Sequence, residues 1–302
     1  MTEQSNHPAD TLLRVIDEVG SPVCVGLDPV IDKLPMALRG RGDIAALSAF
    51  SVRVIEALKG IVPCLKIQSA CYERFGPDGM RVLQEAMSAA KAAGIVTILD
   101  SKRGDIGISA EHYSAAMYKQ YGANWSTVNA YLGAETLEPF LSRGGAFALV
   151  RTSNPGSDAL QTIRTEGGLT IAERVATIIA EAGKASVGSS GYSALGAVVG
   201  ATKSKEAASL RAIMPQQIFL VPGFGAQGGS VEDVKPCFNQ DDCGASRGAS
   251  RGAIVTASRS VIFAFGANDS DWVSPIQRAA ESFASEIRRG ISGSSISTTV
   301  SR

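Results

Sequence analysis

The feature that most constrains the fold is a repeated alternation of short apolar segments with Ala-rich amphipathic ones. Near-continuous apolar or β-branched runs are typical of strands buried on both faces, and helices between them predict a parallel β/α architecture. Eight such strands in one chain of 302 residues fit a closed (β/α)8 TIM barrel better than a doubly wound sheet. The eight segments are VCVGL (23–27), CLKIQ (64–68), VTILD (96–100), STVNA (126–130), FALVRTS (147–153), GAVVG (196–200), IFLVP (218–222) and AIVTAS (253–258).

The segments between the strands have the periodicity of helices. Residues 81–94 place apolar side chains at helical spacing and end in Gly94, a residue typical of the position just after a helix. Residues 170–184 have the same character. Because no shift in composition divides the chain, we expect a single barrel domain over 1–290, followed by a polar and disordered tail over 291–302.

The charge balance and the rarer residue types exclude several functions. The chain has 29 Lys and Arg against 29 Asp and Glu, so we expect neither nucleic-acid nor membrane-surface binding. An N-terminus without a signal-peptide pattern and an odd number of cysteines, five, favour a cytoplasmic protein without a disulfide framework. With only two histidines, His7 and His112, neither a His-dependent triad nor a multi-His metal site is expected.

Charged residues collect where the first three predicted strands end. Asp28 follows the first strand, Lys66 lies within the second, and LDSKRGD (99–105) continues the third. Catalytic groups of barrels cluster at these carboxyl ends, and residues two apart on a regular strand point to one side, so we expect Asp100 and Lys102 to share a side. Asp105 lies in a loop that can direct it elsewhere. Each charge alone is also typical of a solvated rim, but a lysine inside VPCLKIQSA requires charged partners.

A second cluster predicts a phosphate site. VPGFGAQGG (221–229) follows the seventh strand and TASRS (256–260) ends the eighth, where barrels commonly bind phosphate through backbone N–H groups. Arg259 would add a bidentate clamp, with Gln227 as a neutral donor beside Gly228. The alternative is a Gly-rich turn with a surface arginine. The duplicated GASRGASRGA (244–253) supplies competing arginines that we do not expect to act.

Taken together, these motifs resemble those of the orotidine 5′-phosphate decarboxylases. LDSKRGDIG resembles the family's Asp-x-Lys-x-x-Asp signature, and GLDP, Lys66, SNPGS (153–157), PGFGAQGG and the final SR at 258–259 occur in the family's order. The chain length and the motif TSNPGS (152–157) are similar to those of the larger bacterial members. The duplicated insertion and the polar tail depart from the family pattern, and both lie outside the motifs.

The resemblance implies a role for each matching residue. Lys102 is similar to the proton donor to C6 of the pyrimidine, and Asp100 to the carboxylate beside the substrate's own. Asp28 and Lys66 resemble ribose contacts, with Lys66 also part of the charge array. The remaining implied roles are a contribution across a dimer interface from Asp105, with Ile106 and Ser109, ring recognition by Ser153 and Asn154, and a phosphate grip from Gln227, Gly228 and Arg259.

The expected activity is metal- and cofactor-independent conversion of orotidine 5′-monophosphate to UMP by a homodimer. One alternative is a Mg²⁺-dependent sugar-phosphate decarboxylase resembling the 3-keto-gulonate phosphate enzymes. Those enzymes hold Mg²⁺ through carboxylates that include one at the end of the second strand. Lys66 occupies that position here and argues against this alternative, because a lysine would repel the cation. A second alternative is a catalytically silent nucleotide-binding barrel. Lys102 between two acids argues against that, because a binder of anions has no use for a carboxylate facing its ligand.

Overall fold

The chain forms a closed barrel of eight parallel strands, which confirms the predicted (β/α)8 architecture. The computed structural model describes residues 7–225, 228–239 and 251–291. Each strand pairs with the next in sequence, and the eighth closes on the first, with Cys24 opposite Thr256. The strands are β1 (Val23–Leu27), β2 (Cys64–Gln68), β3 (Val96–Arg103), β4 (Trp125–Val128), β5 (Gly145–Arg151), β6 (Leu195–Val199), β7 (Phe219–Pro222) and β8 (Ala253–Ala257).

Helices surround the barrel and connect its strands. The predicted helix at 81–94 begins earlier, at Gly76, and the one at 170–184 is capped by Thr170, whose side chain and Glu173 form a reciprocal capping box. The longer helices are α1 (Pro8–Val19), α2 (Asp43–Leu58), α3 (Gly76–Ala92), α4 (Gly107–Ala115), α5 (Ile171–Gly183), α6 (Ser204–Ile213) and α7 (Val273–Ile291). Shorter helical turns include Ala70–Glu73, Glu138–Leu141, Asp158–Gln161, Val231–Val234 and Arg259–Ile262.

Two apolar clusters hold this architecture together. The larger one lies between the strands and the surrounding helices. The smaller one fills the barrel, where Trp125 stacks on Phe147 with ring centroids 4.4 Å apart. Leu12 and Ile16 of α1 join this inner cluster, so α1 closes the amino-terminal end of the barrel. The opposite end is left open for polar side chains.

The predicted insertion and tail fall largely outside the described residues. Of the duplicated GASR segment only Arg251, Gly252 and Ala253 are described, and of the predicted tail only Ile291, which ends α7. Arg251 pairs with Asp17 of α1 at 2.6 Å, at the closed end of the barrel. Among the described helices, none is both long enough and apolar enough to span a membrane.

Candidate active site

A cavity of about 510 Å³ opens at the carboxyl ends of the strands. Its lining divides into a charged side from β1 to β3, a polar loop after β5, an apolar floor and a Gly-rich side after β7 and β8. The floor consists of Val198 and Leu220, which belong to the inner cluster, and of Leu149, which packs against it. The size of the cavity suits a small-molecule ligand with an apolar face and several polar groups.

Asp100 is the centre of the charged side. Its Oδ1 receives hydrogen bonds from Lys102 Nζ at 2.5 Å and Thr127 Oγ1 at 2.8 Å. Its Oδ2 lies 3.0 Å from Lys66 Nζ, and Gln68 Nε2 donates to the same oxygen at 3.2 Å. Four donors therefore hold one buried carboxylate in a single orientation.

Lys66 connects this carboxylate to a second one. Its Nζ lies 3.3 Å from Asp28 Oδ1 as well as 3.0 Å from Asp100. Asp28, Lys66, Asp100 and Lys102 thus form a continuous line of alternating charge, and all four line the cavity. The structure brings together these four residues, which the sequence analysis had taken from three different strands.

The electrostatic balance keeps this line ionised. Burial alone would raise the pKa of Asp100, but the charges of Lys66 and Lys102 and the hydrogen bonds from Lys102 and Thr127 hold it well below its usual range. Burial alone would lower the pKa of Lys66, but the charges of Asp100 and Asp28 raise it above its usual value. Each buried charge is therefore stabilised by its neighbour of opposite sign.

Lys102 reaches Asp100 through an irregular backbone. Lys102 has a φ of 49°, and the pairing of β3 with β4 shifts register between Leu99 and Arg103. A left-handed conformation is unusual for a residue with a side chain, and Thr127 Oγ1 stabilises it by accepting the Lys102 N–H at 2.9 Å. Simple strand alternation, on which the sequence prediction relied, is thus not what places Lys102 beside Asp100.

Asp105, Ile106 and Ser109 lie apart from the cavity within one chain. Asp105 Oδ1 accepts a hydrogen bond from the Ile106 N–H at 2.8 Å, and Ile106 is 62% exposed. The loop passes close to β4, because a Cβ on Gly104 would approach Asn129 O to 2.7 Å. Ser109 lies in the first turn of α4. The structure thus leaves these three residues at the surface beside the site.

The loop after β5 brings Thr152, Ser153 and Asn154 to the cavity, together with Gln161. Its backbone packs closely on β6, because a Cβ on Gly200 would approach Ser153 Cα to 2.8 Å. Ser153 and Asn154 were predicted from the sequence. Thr152 and Gln161 were not.

The Gly-rich side presents Gly223, Phe224, Ser258 and Arg259 to the cavity. Arg259 begins a helical turn and is exposed, without an ion pair to any described residue. Gly228 has a φ of 91°, which favours glycine, and does not line the cavity. Gln227 lies outside the described residues.

Other residues of the cavity were missed by the sequence analysis. Gln68 lies two positions after Lys66 and Thr127 two after Trp125, so alternation along the interior of the strands could have indicated both. Thr256 of β8 is 3% exposed, and its hydroxyl finds no hydrogen-bond partner among the residues that the structure describes. No sequence signal distinguishes a threonine of this kind from an ordinary strand residue.

Comparisons with known proteins agree with this geometry. The pattern of the orotidine 5′-phosphate decarboxylase / HUMPS family matches residues 21–264. The orotidine 5′-phosphate decarboxylase of Rhodopirellula baltica is 40% identical over 290 residues, covering 90% of this chain and 95% of the relative. That of Deinococcus radiodurans is 38% identical, covering 81% and 85%. The structure of the Leishmania donovani OMP decarboxylase is similar, with a TM-score of 0.76, 28% identity and coverage of 94% and 98%.

Proposed function

Since the chain belongs to the orotidine 5′-phosphate decarboxylase / HUMPS family, it decarboxylates orotidine 5′-monophosphate to UMP, and we propose that it does so without metal or organic cofactor, with Lys102 as proton donor. The observation that carries the proposal is the line of alternating charge through Asp28, Lys66, Asp100 and Lys102 in the wall of the cavity. Within this line Lys66 lies where the Mg²⁺-dependent alternative needs a carboxylate, and a silent nucleotide-binding barrel has no use for a carboxylate such as Asp100 facing an anionic ligand.

The chemistry requires a cation at the reacting carbon. Loss of CO₂ from C6 of the pyrimidine leaves an electron pair in the plane of the ring, where the ring π system cannot delocalise it. A fixed positive charge at ~4 Å stabilises such a carbanion by about 4 kcal/mol at an effective dielectric constant near 20. Lys102 provides that charge and then donates its proton to C6, which yields UMP.

Asp100 and Lys66 prepare Lys102 for this role. Asp100 accepts a hydrogen bond from Lys102 Nζ at 2.5 Å, which orients the ammonium group before substrate binds. Lys66 neutralises much of the charge that Asp100 would otherwise present to an anionic substrate. Preorganised charges cost little reorganisation during the reaction, and this is the usual source of a large electrostatic contribution to catalysis.

Lys102 alone is not sufficient, because enzymes lower reaction barriers by roughly 8–23 kcal/mol. Binding energy from the rest of the substrate must supply the remainder. We assign the phosphate to Arg259, the ribose to Asp28 and Lys66, and the ring to the loop of Ser153 and Asn154. Gln227 and Gly228 remain phosphate contacts predicted from the sequence, since Gln227 lies outside the described residues and Gly228 does not line the cavity. Arg259 follows β8, which pairs with β1, so a phosphate held there lies beside the Asp28 end of the charge line and helps to position the rest of the nucleotide.

We also propose that the active unit is a homodimer in which Asp105 acts on the partner's site, with Ile106 and Ser109. Beside Asp105, Ile106 and Ile108 are 62% and 65% exposed, and Tyr131, in the loop after the neighbouring strand β4, is 85% exposed. Apolar side chains at this exposure are typical of a protein interface.

The four described cysteines are free thiols, which is consistent with a cytoplasmic location.

Turnover by purified protein in EDTA tests this function. The loss of orotidine 5′-monophosphate absorbance is followed for the unaltered chain, for Lys102→Ala, and for Lys59→Ala as an exposed lysine outside the cavity. We expect turnover in EDTA, normal activity in the Lys59 variant, and a loss of at least about 10³-fold in the Lys102 variant. Failure of the unaltered chain, or full activity of Lys102→Ala, would contradict the proposal. Activity that EDTA abolishes would favour the Mg²⁺-dependent alternative.

A further inference from the structure

A buried arginine lies behind the loop that we assign to the ring. Arg151 ends β5 and is 1% exposed. Its guanidinium donates to Glu206, to Asp158 Oδ1 at 2.5 Å, to Ser157 Oγ at 2.8 Å and to Gln161 Oε1 at 3.2 Å. An arginine has donors and no acceptor, so each of these contacts runs in one direction only.

Because Arg151 can only donate, its hydrogen bond to Gln161 helps to fix which way the Gln161 amide is oriented. The backbone N–H of Thr152, which also can only donate, reaches the same Gln161 Oε1 at 2.9 Å. Two obligate donors therefore hold the oxygen of this amide toward Arg151 and the backbone. The nitrogen must face the other way, and Gln161 Nε2 donates to the hydroxyl oxygen of Thr152 at 3.0 Å.

The hydroxyl of Thr152 in turn determines the orientation of the Asn154 amide. Its proton has two candidate acceptors, Asn154 Oδ1 at 2.8 Å and Gln161 Oε1 at 3.4 Å. The Gln161 oxygen already accepts two hydrogen bonds, one for each lone pair, so the proton goes to the nearer Asn154 oxygen. The orientation of the second amide is thereby set by the first.

Asn154 consequently presents donors and not an acceptor. Its Oδ1 is engaged by Thr152, whereas its Nδ2 meets no acceptor within the described ranges of the chain. Asn154 and Thr152 both line the cavity. The chain of hydrogen bonds from Arg151 through Gln161 and Thr152 to Asn154, which we call the amide relay, thus ends in an N–H₂ group at the site.

The backbone of the relay is held independently of any ligand. Ser157 Oγ lies 3.1 Å from Thr152 O and 2.7 Å from Asn154 O. Asp158 is bound both by Arg151 and by Lys203 Nζ, the latter at 2.6 Å. Arg151, Lys203, Asp158 and Glu206 together carry no net formal charge, so the buried guanidinium of Arg151 is neutralised by two carboxylates that reach it from the surface.

We propose that the amide relay makes Asn154 a hydrogen-bond donor to a ring carbonyl oxygen, and so selects 4-oxo pyrimidine nucleotides over their 4-amino counterparts. A 4-amino group would place donor against donor and leave a polar pair unsatisfied. Arg151, Gln161 and Thr152 act as positioning residues in this selection. The inference rests on the proposed function, because it places the ring at this loop.

The Thr152→Val variant tests the relay with the smallest change in shape. Valine removes the hydroxyl and keeps the backbone N–H that binds Gln161. The affinities for UMP and CMP, which differ at the 4-position of the ring, are measured by calorimetry. We expect the unaltered chain to prefer UMP by at least about 100-fold, and Thr152→Val to reduce that ratio about tenfold, because the Asn154 amide is then free to turn.

Two further variants complete the experiment. Asn154→Asp offers only acceptors, so we expect it to lose UMP affinity and to shift the ratio further toward CMP. Thr177→Val in α5 is the matched control, since it makes the same substitution at a hydroxyl outside the relay, one that donates to the backbone oxygen of Glu173 at 2.9 Å. Thr177→Val should keep the original ratio, as should any variant that merely loosens packing.

The outcomes separate this inference from the proposed function. An unchanged UMP-to-CMP ratio in Thr152→Val, or equal losses for both nucleotides in Asn154→Asp, would overturn the relay even if the enzyme decarboxylates orotidine 5′-monophosphate normally. Absence of decarboxylation by the unaltered chain would instead contradict the function itself.

Discussion

Two sides of the cavity are built differently. On the side of β1 to β3, Lys66 and Asp100 are buried and every charge of the line already has a partner of opposite sign. On the side of β7 and β8, Arg259 is exposed and makes no ion pair with any described residue. The first side is assembled before a substrate arrives, whereas the second offers an unengaged cation.

This difference corresponds to two separate tasks. A group that stabilises a developing charge must be fixed in advance, because moving it during the reaction would cost part of the stabilisation. A group that captures a phosphate gains from being accessible and solvated, since it must meet a ligand from solution. In the proposed mechanism, the charged side therefore sets the rate of the chemical step, and the Gly-rich side sets the affinity for the phosphate.

The largest expected effect tests whether the charged side needs a second chain. Lys102→Ala and Asp105→Ala subunits should each be nearly inactive alone. After mixing and subunit exchange, a heterodimer has one site with an intact Lys102 and an intact partner Asp105. Random pairing then restores about a quarter of the sites, measured as decarboxylation by the mixture.

Mixing Lys102→Ala with Asp100→Ala is the control, because both changes affect the same chain's side of the site. That mixture should stay inactive if Asp100 and Lys102 act as one unit. A first mixture that stays inactive after verified exchange would contradict a contribution of Asp105 in trans.

A smaller effect is expected on the Gly-rich side. Arg259→Ala removes a charge-assisted clamp and should raise KM by roughly 10- to 100-fold, with a lesser change in kcat. Arg251→Ala is the matched control, since Arg251 pairs with Asp17 at the opposite end of the barrel. Steady-state kinetics of the two variants compare them directly, and the opposite ranking would show that Arg259 is not the phosphate ligand.

The smallest effect concerns stability against acid. The folded state holds the pKa of Asp100 well below its usual range, so the unfolded chain binds the proton more readily. The stabilisation is therefore complete above about pH 5 and is lost progressively as the pH falls through the unfolded-state pKa of aspartate and below it. Between pH 6 and pH 3, the free energy of unfolding should decrease by about 1 kcal/mol more in the unaltered chain than in Asp100→Asn.

Urea denaturation at several pH values measures this difference. Asp78→Asn, a change at an exposed carboxylate on α3, serves as the control and should follow the unaltered chain. An Asp100→Asn variant with the same acid sensitivity as the unaltered chain would mean that the ion pairs of Asp100 contribute nothing to folding.

Local sequence patterns were sufficient for the architecture. All eight predicted strands occur, because an apolar run between amphipathic segments has few alternatives to a buried parallel strand. The charged residues at the strand ends could likewise be predicted from the sequence. A closed barrel brings the carboxyl ends of all strands to one opening, and this is where Asp28, Lys66, Asp100 and Lys102 meet.

Contacts between distant parts of the chain were beyond such patterns. Thr127 contacts Asp100 from the next strand, and Glu206 binds Arg151 across 55 residues of sequence. The left-handed backbone at Lys102 likewise depends on its bond to Thr127. Hydrogen-bond direction is a property of three-dimensional neighbours, so no spacing rule could have indicated it.

The sequence by itself thus determined the barrel and the residues that carry charge into its open end, because periodicity and strand order are local properties. Only the tertiary structure decided how those residues are oriented. The donors and acceptors that come together when the barrel closes determine which oxygen of Asp100 contacts which lysine. They also determine whether the oxygen or the nitrogen of the Asn154 amide is directed to the cavity.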